Sequence, residues 1–518
     1  MVSGNNHGVS MSRSTILNVK NLSLYINEEP LLESLSLSVA EGEMVCLMGP
    51  NGCGKSTLLR IVLGEARPDQ RRLADILTSG GMLHLAPDTE ISYLPQRIEG
   101  SLPVPPPGDT DTELRSRTQA IIDGVPPLED SQLSLGQLQK RTLARVIESR
   151  ADLYLLDEPT NYLDLGGLES FEEAIAVLKR RGKALLIVTH DRTLADNLAD
   201  RTIYISPNGV YQSQGGFSAA WDLAFSDYEA RTHRAADIRS KIKQLQQDAR
   251  RRMGWSAAKE KSKRGAGAEK PHIGKLAKKM AARSKAVAKR AEAEQKRLNE
   301  TKPFVPKKVN LKIGQYEVRN RPVASFDRVG FTYPGSNAPT LSDVEIDLST
   351  QDKVCVLGHN GCGKTTLLNL ICGRLEPEMG LLRRNQAVKS VYLSQGLKGF
   401  FSPGTLLRNL TDTGVDETTI RQYLGAALLR RDKVTNSVES FSHGELMRAA
   451  IVKCILQKAE FLLLDEPTSH LDIESIQVLE RLLQDFPGGY LVVSHDRTFV
   501  ENVADQLFLM AGRRIRLI

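Results

Sequence analysis

Six cysteines in 518 residues are too few to frame a disulfide scaffold. No run of about 18 apolar residues occurs, so no helix is expected to span a membrane. The first residues, Met1 to Ser14, are rich in Ser, Asn and Gly and lack an apolar centre, so they do not read as a secretory leader. These absences point to a cytoplasmic compartment. Cys46 and Cys355 form one repeat-related pair, Cys53 and Cys362 another, in or just before glycine-rich loops. That placement argues against a metal cluster. At 518 residues the chain is too long for one core, and two or three domains are expected.

What is present is a repeat. Gly49-Pro50-Asn51-Gly52-Cys53-Gly54-Lys55-Ser56 recurs as Gly358-His359-Asn360-Gly361-Cys362-Gly363-Lys364-Thr365, with the lysines 309 residues apart. Leu156-Asp157-Glu158-Pro159-Thr160 recurs as Leu464-Asp465-Glu466-Pro467-Thr468, with the aspartates 308 apart. A duplication on this scale sets both fold and chemistry. It implies two nucleotide sites in one chain.

Each copy has the local order that phosphate binding needs. Met44 to Met48 reads as a buried strand, a glycine-rich loop follows, and Leu58 to Val62 opens a helix. Glycines let backbone N–H groups converge on phosphate oxygens at a helix N-terminus. Lys55 would reach the β- and γ-phosphates, and the Ser56 hydroxyl would hold Mg²⁺. Leu153 to Asp157 is an apolar run ending in a carboxylate, the pattern of a buried parallel strand. Asp157 at its end would help hold the magnesium water shell. Glu158, one residue on, is placed to orient or deprotonate the attacking water. The second copy repeats these assignments.

Between lysine loop and Asp-Glu pair lie Leu133-Ser134-Leu135-Gly136-Gln137 and Phe441-Ser442-His443-Gly444-Glu445. These resemble the signature of ABC-type ATPases. Gln96 and Gln395 resemble the Q-loop glutamines, Leu163-Asp164 and Leu471-Asp472 the D-loops, His190 and His495 the switch histidines, and Tyr25 and Tyr333 the aromatic against adenine. The resemblance implies an α/β fold and a head-to-tail sandwich of two P-loop ABC ATPase domains. In site one, Tyr25, Gly49, Asn51, Gly52, Gly54, Lys55, Ser56, Thr57 and Gln96 would face Ser442 and Gly444. In site two, Tyr333, Gly358, Asn360, Gly361, Gly363, Lys364, Thr365, Thr366 and Gln395 would face Ser134 and Gly136. Glu158, Glu466, His190 and His495 would carry the hydrolysis of ATP. Ser56, Gln96, Asp157, Thr365, Gln395 and Asp465 would hold Mg²⁺, partly through water. Both signatures depart from the usual pattern at their third position, Leu135 and His443.

The segment between the repeats has a different composition. Residues 228–302 hold 23 Lys+Arg against 8 Asp+Glu, whereas the remainder has 46 against 54. A one-signed excess points to a polyanionic partner. Ile238, Ile242, Leu245 and Ala249 form one helical stripe. Ile273, Leu276, Met280, Ser284, Val287, Ala291, Glu294 and Leu298 keep heptad spacing. The pattern predicts an antiparallel α-helical hairpin linker with an irregular tip from Gly254 to Pro271. Lys275, Lys278, Lys279, Arg283 and Lys285 lie on its outer face and are the candidate RNA contacts. A plain charged spacer is the bland alternative.

Tandem ABC domains, a basic helical linker and no membrane domain together resemble the ABC-F family, over roughly residues 14–518. The implied domains are a flexible N-terminus at 1–13, a first ABC domain at 14–217, the linker at 218–303, a connector at 304–321 and a second ABC domain at 322–518. The implied partner is the ribosome, through large-subunit rRNA and peptidyl-tRNA, bound by a monomer with an intramolecular ABC dimer. Gln96 to Ser134 spans 38 residues against 47 from Gln395 to Ser442, and the Pro-rich Pro103 to Pro107 lies within it. That suggests a trimmed helical subdomain without an inserted arm. With no coiled coil after the second repeat, the pattern leans toward the antibiotic-protection type, with a translation factor as the other reading within the family. The alternatives from other classes are an energy subunit for a membrane transporter and a DNA-repair ATPase.

Overall fold

The computed structural model describes residues 14–26, 29–66, 78–96, 98, 112–206, 209–262, 316–336, 338–397, 399–429, 431–469 and 471–518, with much of 278–294. Contacts divide the chain into two compact units. One comprises 1–205, 212–220 and 306–518; the other comprises 206–211 and 221–305.

The first unit contains the same architecture twice. Its first half runs β1 (Thr15–Ile26), β2 (Glu29–Ala40), β3 (Met44–Met48), α1 (Lys55–Ala66), β4 (Thr78–Leu85), β5 (Ile91–Leu94), α2 (Thr112–Ile121), α3 (Leu135–Glu148), β6 (Leu153–Asp157), α4 (Leu165–Arg180), β7 (Ala184–Val188), α5 (Arg192–Leu198), β8 (Arg201–Ser206) and β9 (Gly209–Gln214). After α6 (Phe217–Ser262), the second half runs β10 (Pro322–Phe331), β11 (Leu341–Ser349), β12 (Lys353–Gly358), α7 (Lys364–Ile371), β13 (Met379–Arg384), β14 (Ser390–Leu393), α8 (Leu406–Thr411), α9 (Glu417–Ala426), α10 (His443–Leu456), β15 (Phe461–Asp465), α11 (Ile473–Gln484), β16 (Gly489–Val493), α12 (Arg497–Val503), β17 (Gln506–Ala511) and β18 (Arg514–Leu517).

In each half a six-stranded sheet, β5-β6-β7-β3-β8-β9 or β14-β15-β16-β12-β17-β18, carries a parallel core. A three-stranded antiparallel sheet accompanies it. All five residues of β3, β6 and β7 are buried, as strands covered on both faces require. Cys46 and Cys355 are core residues of β3 and β12. Because the core strands are parallel, the loops after β5, β6, β7 and β3 leave from one carboxyl edge. Gln96, Glu158, His190 and the glycine-rich loop therefore gather there from distant parts of the sequence. Between Q-loop and signature, the described residues contain one α-helix in the first half, α2, and two in the second, α8 and α9. Pro103 to Pro107 lies outside the described residues.

The second unit carries most of α6. Ala235, Ile238, Ile242, Leu245 and Ala249 are the less exposed positions on its 235–249 stretch, the expected stripe plus one residue. The Lys241 ammonium pairs with the Glu294 carboxylate at 2.8 Å, joining α6 to the second helical segment across 53 residues. Among the described residues of 278–294, only Val287 and Glu294 are not exposed, and both belong to the expected seam. Its other six members lie outside the described residues, as do Lys275 and the expected flexible 1–13.

One expectation is corrected. The sequence pattern predicts an irregular tip from Gly254, but α6 continues through Gly254 and Trp255 to Ser262. A single interior glycine costs a helix only about 1 kcal/mol relative to alanine. Good helix formers on both sides, Arg250 to Met253 and Ala257 to Lys259, outweigh it. No helix among the described residues is long and apolar enough to cross a membrane.

Candidate active sites

Each glycine-rich loop closes on its own lysine. The Lys55 ammonium donates to the carbonyls of Gly49 (2.8 Å) and Pro50 (2.9 Å), and Lys364 to those of Gly358 (2.7 Å) and His359 (3.0 Å). Gly54 and Gly363 adopt φ of +95° and +107° at the entrance to α1 and α7, a conformation costly for any residue with a Cβ. The two helices thus present their N-terminal amides to the loop. Ser56 and Thr57, and Thr365 and Thr366, occupy their first turns.

The carboxylates follow from the strand edges. Glu158 and Glu466 have φ of +52° and +50°, a region that non-glycine residues seldom enter. The backbone is held there by Glu158 N–H to the Val188 carbonyl (2.8 Å) and Glu466 N–H to the Val493 carbonyl (2.9 Å). This turn lifts each glutamate beside its histidine, His190 at 3.3 Å and His495 at 3.0 Å. The His190 Nε2 also lies 3.1 Å from the Asn51 side-chain oxygen. Burial pushes Glu158 up to about 8 despite the nearby Lys55. Burial, with Lys55 adding to it, pushes His190 down to about 3. In the nucleotide-free chain burial therefore favours the uncharged form of both groups near neutral pH.

These shifts give a stability prediction. Between roughly pH 4.5 and 8 the folded chain keeps a proton on Glu158 that the unfolded chain releases, so that contribution is lost as pH rises. The Glu158→Gln variant without nucleotide should melt above wild type at about pH 8.5, with the gap shrinking toward about pH 5. Equal melting temperatures at both values would contradict a buried, protonated Glu158. His190 acts oppositely and lower, adding stability as pH rises from about 3 to 6.5.

The metal-side carboxylates differ between the halves. The Thr365 and Tyr392 hydroxyls each donate to Asp465 at 3.1 Å. Both oxygens of the buried Asp157 make no hydrogen bond of ordinary geometry, although the Ser56 hydroxyl is near enough to oppose the upward push of burial. Gln96 and Gln395 lie exposed just beyond β5 and β14, and no hydrogen bond joins them to these carboxylates among the described residues. Tyr25 is partly buried within β1. Tyr333 is 42% exposed, follows β10 and holds Thr366 through its hydroxyl at 3.2 Å.

The two halves meet through the D-loops. Asp164 accepts the Asn360 N–H at 3.0 Å, and Asp472 accepts the Asn51 N–H at 3.3 Å. Burial opposes their ionisation, but the Asn360 amide and Lys140 hold Asp164 below its ordinary range, as Ser475 and the Asn51 amide do for Asp472. The signatures sit behind these contacts. Ser134 and Ser442 cap α3 and α10 in reciprocal boxes with Gln137 and Glu445. Gly136 lies against Tyr162, whose carbonyl accepts from the Asn360 side chain at 3.2 Å. Gly444 lies against Leu471 and Ser475. A Cβ at Gly444 would crowd Leu471 of the D-loop at 3.0 Å, whereas one at Gly136 would make ordinary contact with Tyr162.

The fold and its two lysine loops define a tandem P-loop ATPase. A family profile described as ABC transporter matches residues 32–161 and 341–469, half of the chain. The chain belongs to the ABC transporter family. Its full-length relatives are of the ABC-F type. ABC transporter F family member 2 of Arabidopsis thaliana is 26% identical over 97% of this chain and 77% of its own length. The ATP-binding protein Uup of Caulobacter vibrioides is 27% identical over 97% of this chain and 78% of its own. In fold the chain resembles the archaeal ribosome recycling factor aABCE1, solved with the ribosomal stalk protein aP1, with a TM-score of 0.60 at 22% identity over 94% of this chain and 87% of that one. The chain is an ATP-binding protein and an ATPase.

Sequence reading missed the contacts that fasten the switch segments. Arg192 pairs with Glu480 at 2.6 Å and Arg497 with Glu172 at 3.0 Å. The signal was available in the repeat: Glu172 and Glu480 are 308 apart, and Arg192 and Arg497 are 305 apart.

Proposed function

We propose that the chain is a cytoplasmic, ribosome-associated ATPase whose basic hairpin contacts large-subunit rRNA and reaches toward peptidyl-tRNA. The observation that carries this reading is the hairpin itself. Lys278, Lys279, Arg283, Lys285, Lys289 and Arg290 are all exposed, whereas Val287 and Glu294, the described seam residues, are partly buried. A helical scaffold whose exposed face is predominantly positive suits the phosphates of a folded RNA better than those of a flexible strand. The ribosomal association named for aABCE1 agrees with it. The finer reading is protection of translation against inhibitors of the peptidyl-transferase centre.

In this reading the ABC halves form an intramolecular dimer with two composite sites. Site one joins Lys55, Ser56, Gln96, Asp157, Glu158 and His190 to Ser442 and Gly444. Site two joins Lys364, Thr365, Gln395, Asp465, Glu466 and His495 to Ser134 and Gly136. The side chains fit Mg²⁺: Asp157 offers two buried oxygens without hydrogen-bond partners, and Thr365 and Asp465 already lie together. Bound there, the ion would neutralise charge developing on the β- and γ-oxygens. Glu158 and Glu466 orient the attacking water, and His190 and His495 hold those glutamates in place. Helix N-terminal amides at the signatures favour the negative γ-phosphate.

The test is co-sedimentation. Protein carrying Glu158→Gln and Glu466→Gln should pellet with ribosomes in ATP and remain in the supernatant in ADP. Pelleting with membrane vesicles instead would favour a transporter energy subunit. ATPase stimulation by DNA alone would favour a repair enzyme.

A further inference from the structure

The residues that follow the two switch histidines are interlocked. His190-Asp191-Arg192-Thr193 and His495-Asp496-Arg497-Thr498 are repeat copies, and the Thr193 and Thr498 hydroxyls lie 3.1 Å apart. Arg192 reaches Glu480 of α11 at 2.6 Å and Asp496, the neighbour of the other switch histidine, at 3.6 Å. Its side chain is 6% exposed and that of Glu480 9%. Arg497 reaches Glu172 of α4 at 3.0 Å. Asp191 and Asp496 also cap α5 and α12, through the amides of Leu194 and Phe499.

Arg192 closes a mechanical circuit, and Arg497 lies on an open one. Arg192 holds Glu480 on α11, and α11 begins at Asp472, which takes the Asn51 amide. The Asn51 side chain meets His190, two residues before Arg192. The switch segment, phosphate loop and opposing D-loop of site one therefore lie on one closed path. At site two Arg497, Glu172, α4, Asp164 and Asn360 give a path that stays open, because the Asn360 side chain donates to the Tyr162 carbonyl and not to His495. The Arg192–Asp496 contact and the threonine pair join the two paths. Neither arginine is placed against a phosphate loop, so neither is a catalytic residue.

We propose that Arg192 and Glu480, with Arg497 and Glu172, are positioning residues that couple the two ATP sites, so that closure of one shifts the switch histidine of the other. The proposal rests on the composite-site reading above. An exchange of charge partners across a buried junction suits this role, because a buried guanidinium must keep its partners and movement on one side is passed to the other.

The experiment is the ATP dependence of hydrolysis by the full chain. Two coupled sites give a Hill coefficient above 1 and at most about 2. Arg192→Met and, separately, Glu480→Gln should bring it to about 1, with kcat changed less than about fivefold. Arg192→Lys keeps the charge and should retain cooperativity, which a mere packing role would not predict. If Arg192→Met fails to fold by circular dichroism, Glu480→Gln and Arg192→Lys decide. Cooperative wild type with equally cooperative Arg192→Met and Glu480→Gln overturns the coupling role alone. A non-cooperative wild type overturns it together with the composite-site reading.

Discussion

The chain carrying both Glu158→Gln and Glu466→Gln should bind ATP as wild type does and hydrolyse it about 10²–10⁴-fold more slowly. Glutamine matches the carboxylate in size and can still accept the His190 amide, which now reaches the Glu158 carboxylate at 3.3 Å. It can neither accept a proton from water at useful pH nor hold it with full charge. The lysines keep their loop contacts, so nucleotide affinity is retained. The strained backbone at both glutamates fits this assignment, since a residue fixed at positive φ is costly to place and is found where position matters. The measurement is phosphate release under single-turnover conditions beside equilibrium binding of a fluorescent ATP analogue. Turnover within about threefold of wild type would remove both glutamates from the chemistry.

Under the proposed function, charge reversal of Lys278, Lys279, Arg283 and Lys285 should strongly weaken ribosome binding. Four phosphate contacts give a slope of about −3.6 in log affinity against log salt, a loss of roughly a hundredfold from about 50 to 200 mM. The reversed protein should bind at least that much more weakly at low salt and show a flatter salt dependence. All four side chains are exposed, so its melting temperature should stay near wild type. The readout is co-sedimentation of the ATP-trapped protein across a salt series. Unchanged binding at moderate salt would make the hairpin a spacer.

How much of this was legible in the sequence follows from which interactions are local. Lys55, Ser56 and the glycines around them fix a strand, a loop and a helix within about twenty residues, so their order alone carries the assignment. The Leu153–Asp157 strand was readable for the same reason, since burial on both faces leaves an uninterrupted apolar run. The stripe from Ile238 to Ala249 was readable because helical periodicity is imposed by neighbours on one chain. The end of α6 was misplaced because one glycine is a weak local signal against strong helix formers around it.

The sequence by itself determined the two nucleotide sites, the strands and helices that present them and the basic segment between. Only the tertiary structure decided which carboxylate is satisfied and which is not. Thr365 and Tyr392 both reach Asp465, whereas Asp157 is left without ordinary hydrogen bonds, although the surrounding residues are nearly the same. It also decided the partners of Arg192 and Arg497, which lie 288 and 325 residues away. A repeat shows that such residues are duplicated. Which charge meets which across the junction depends on how two separately folded halves pack, and no local periodicity records that.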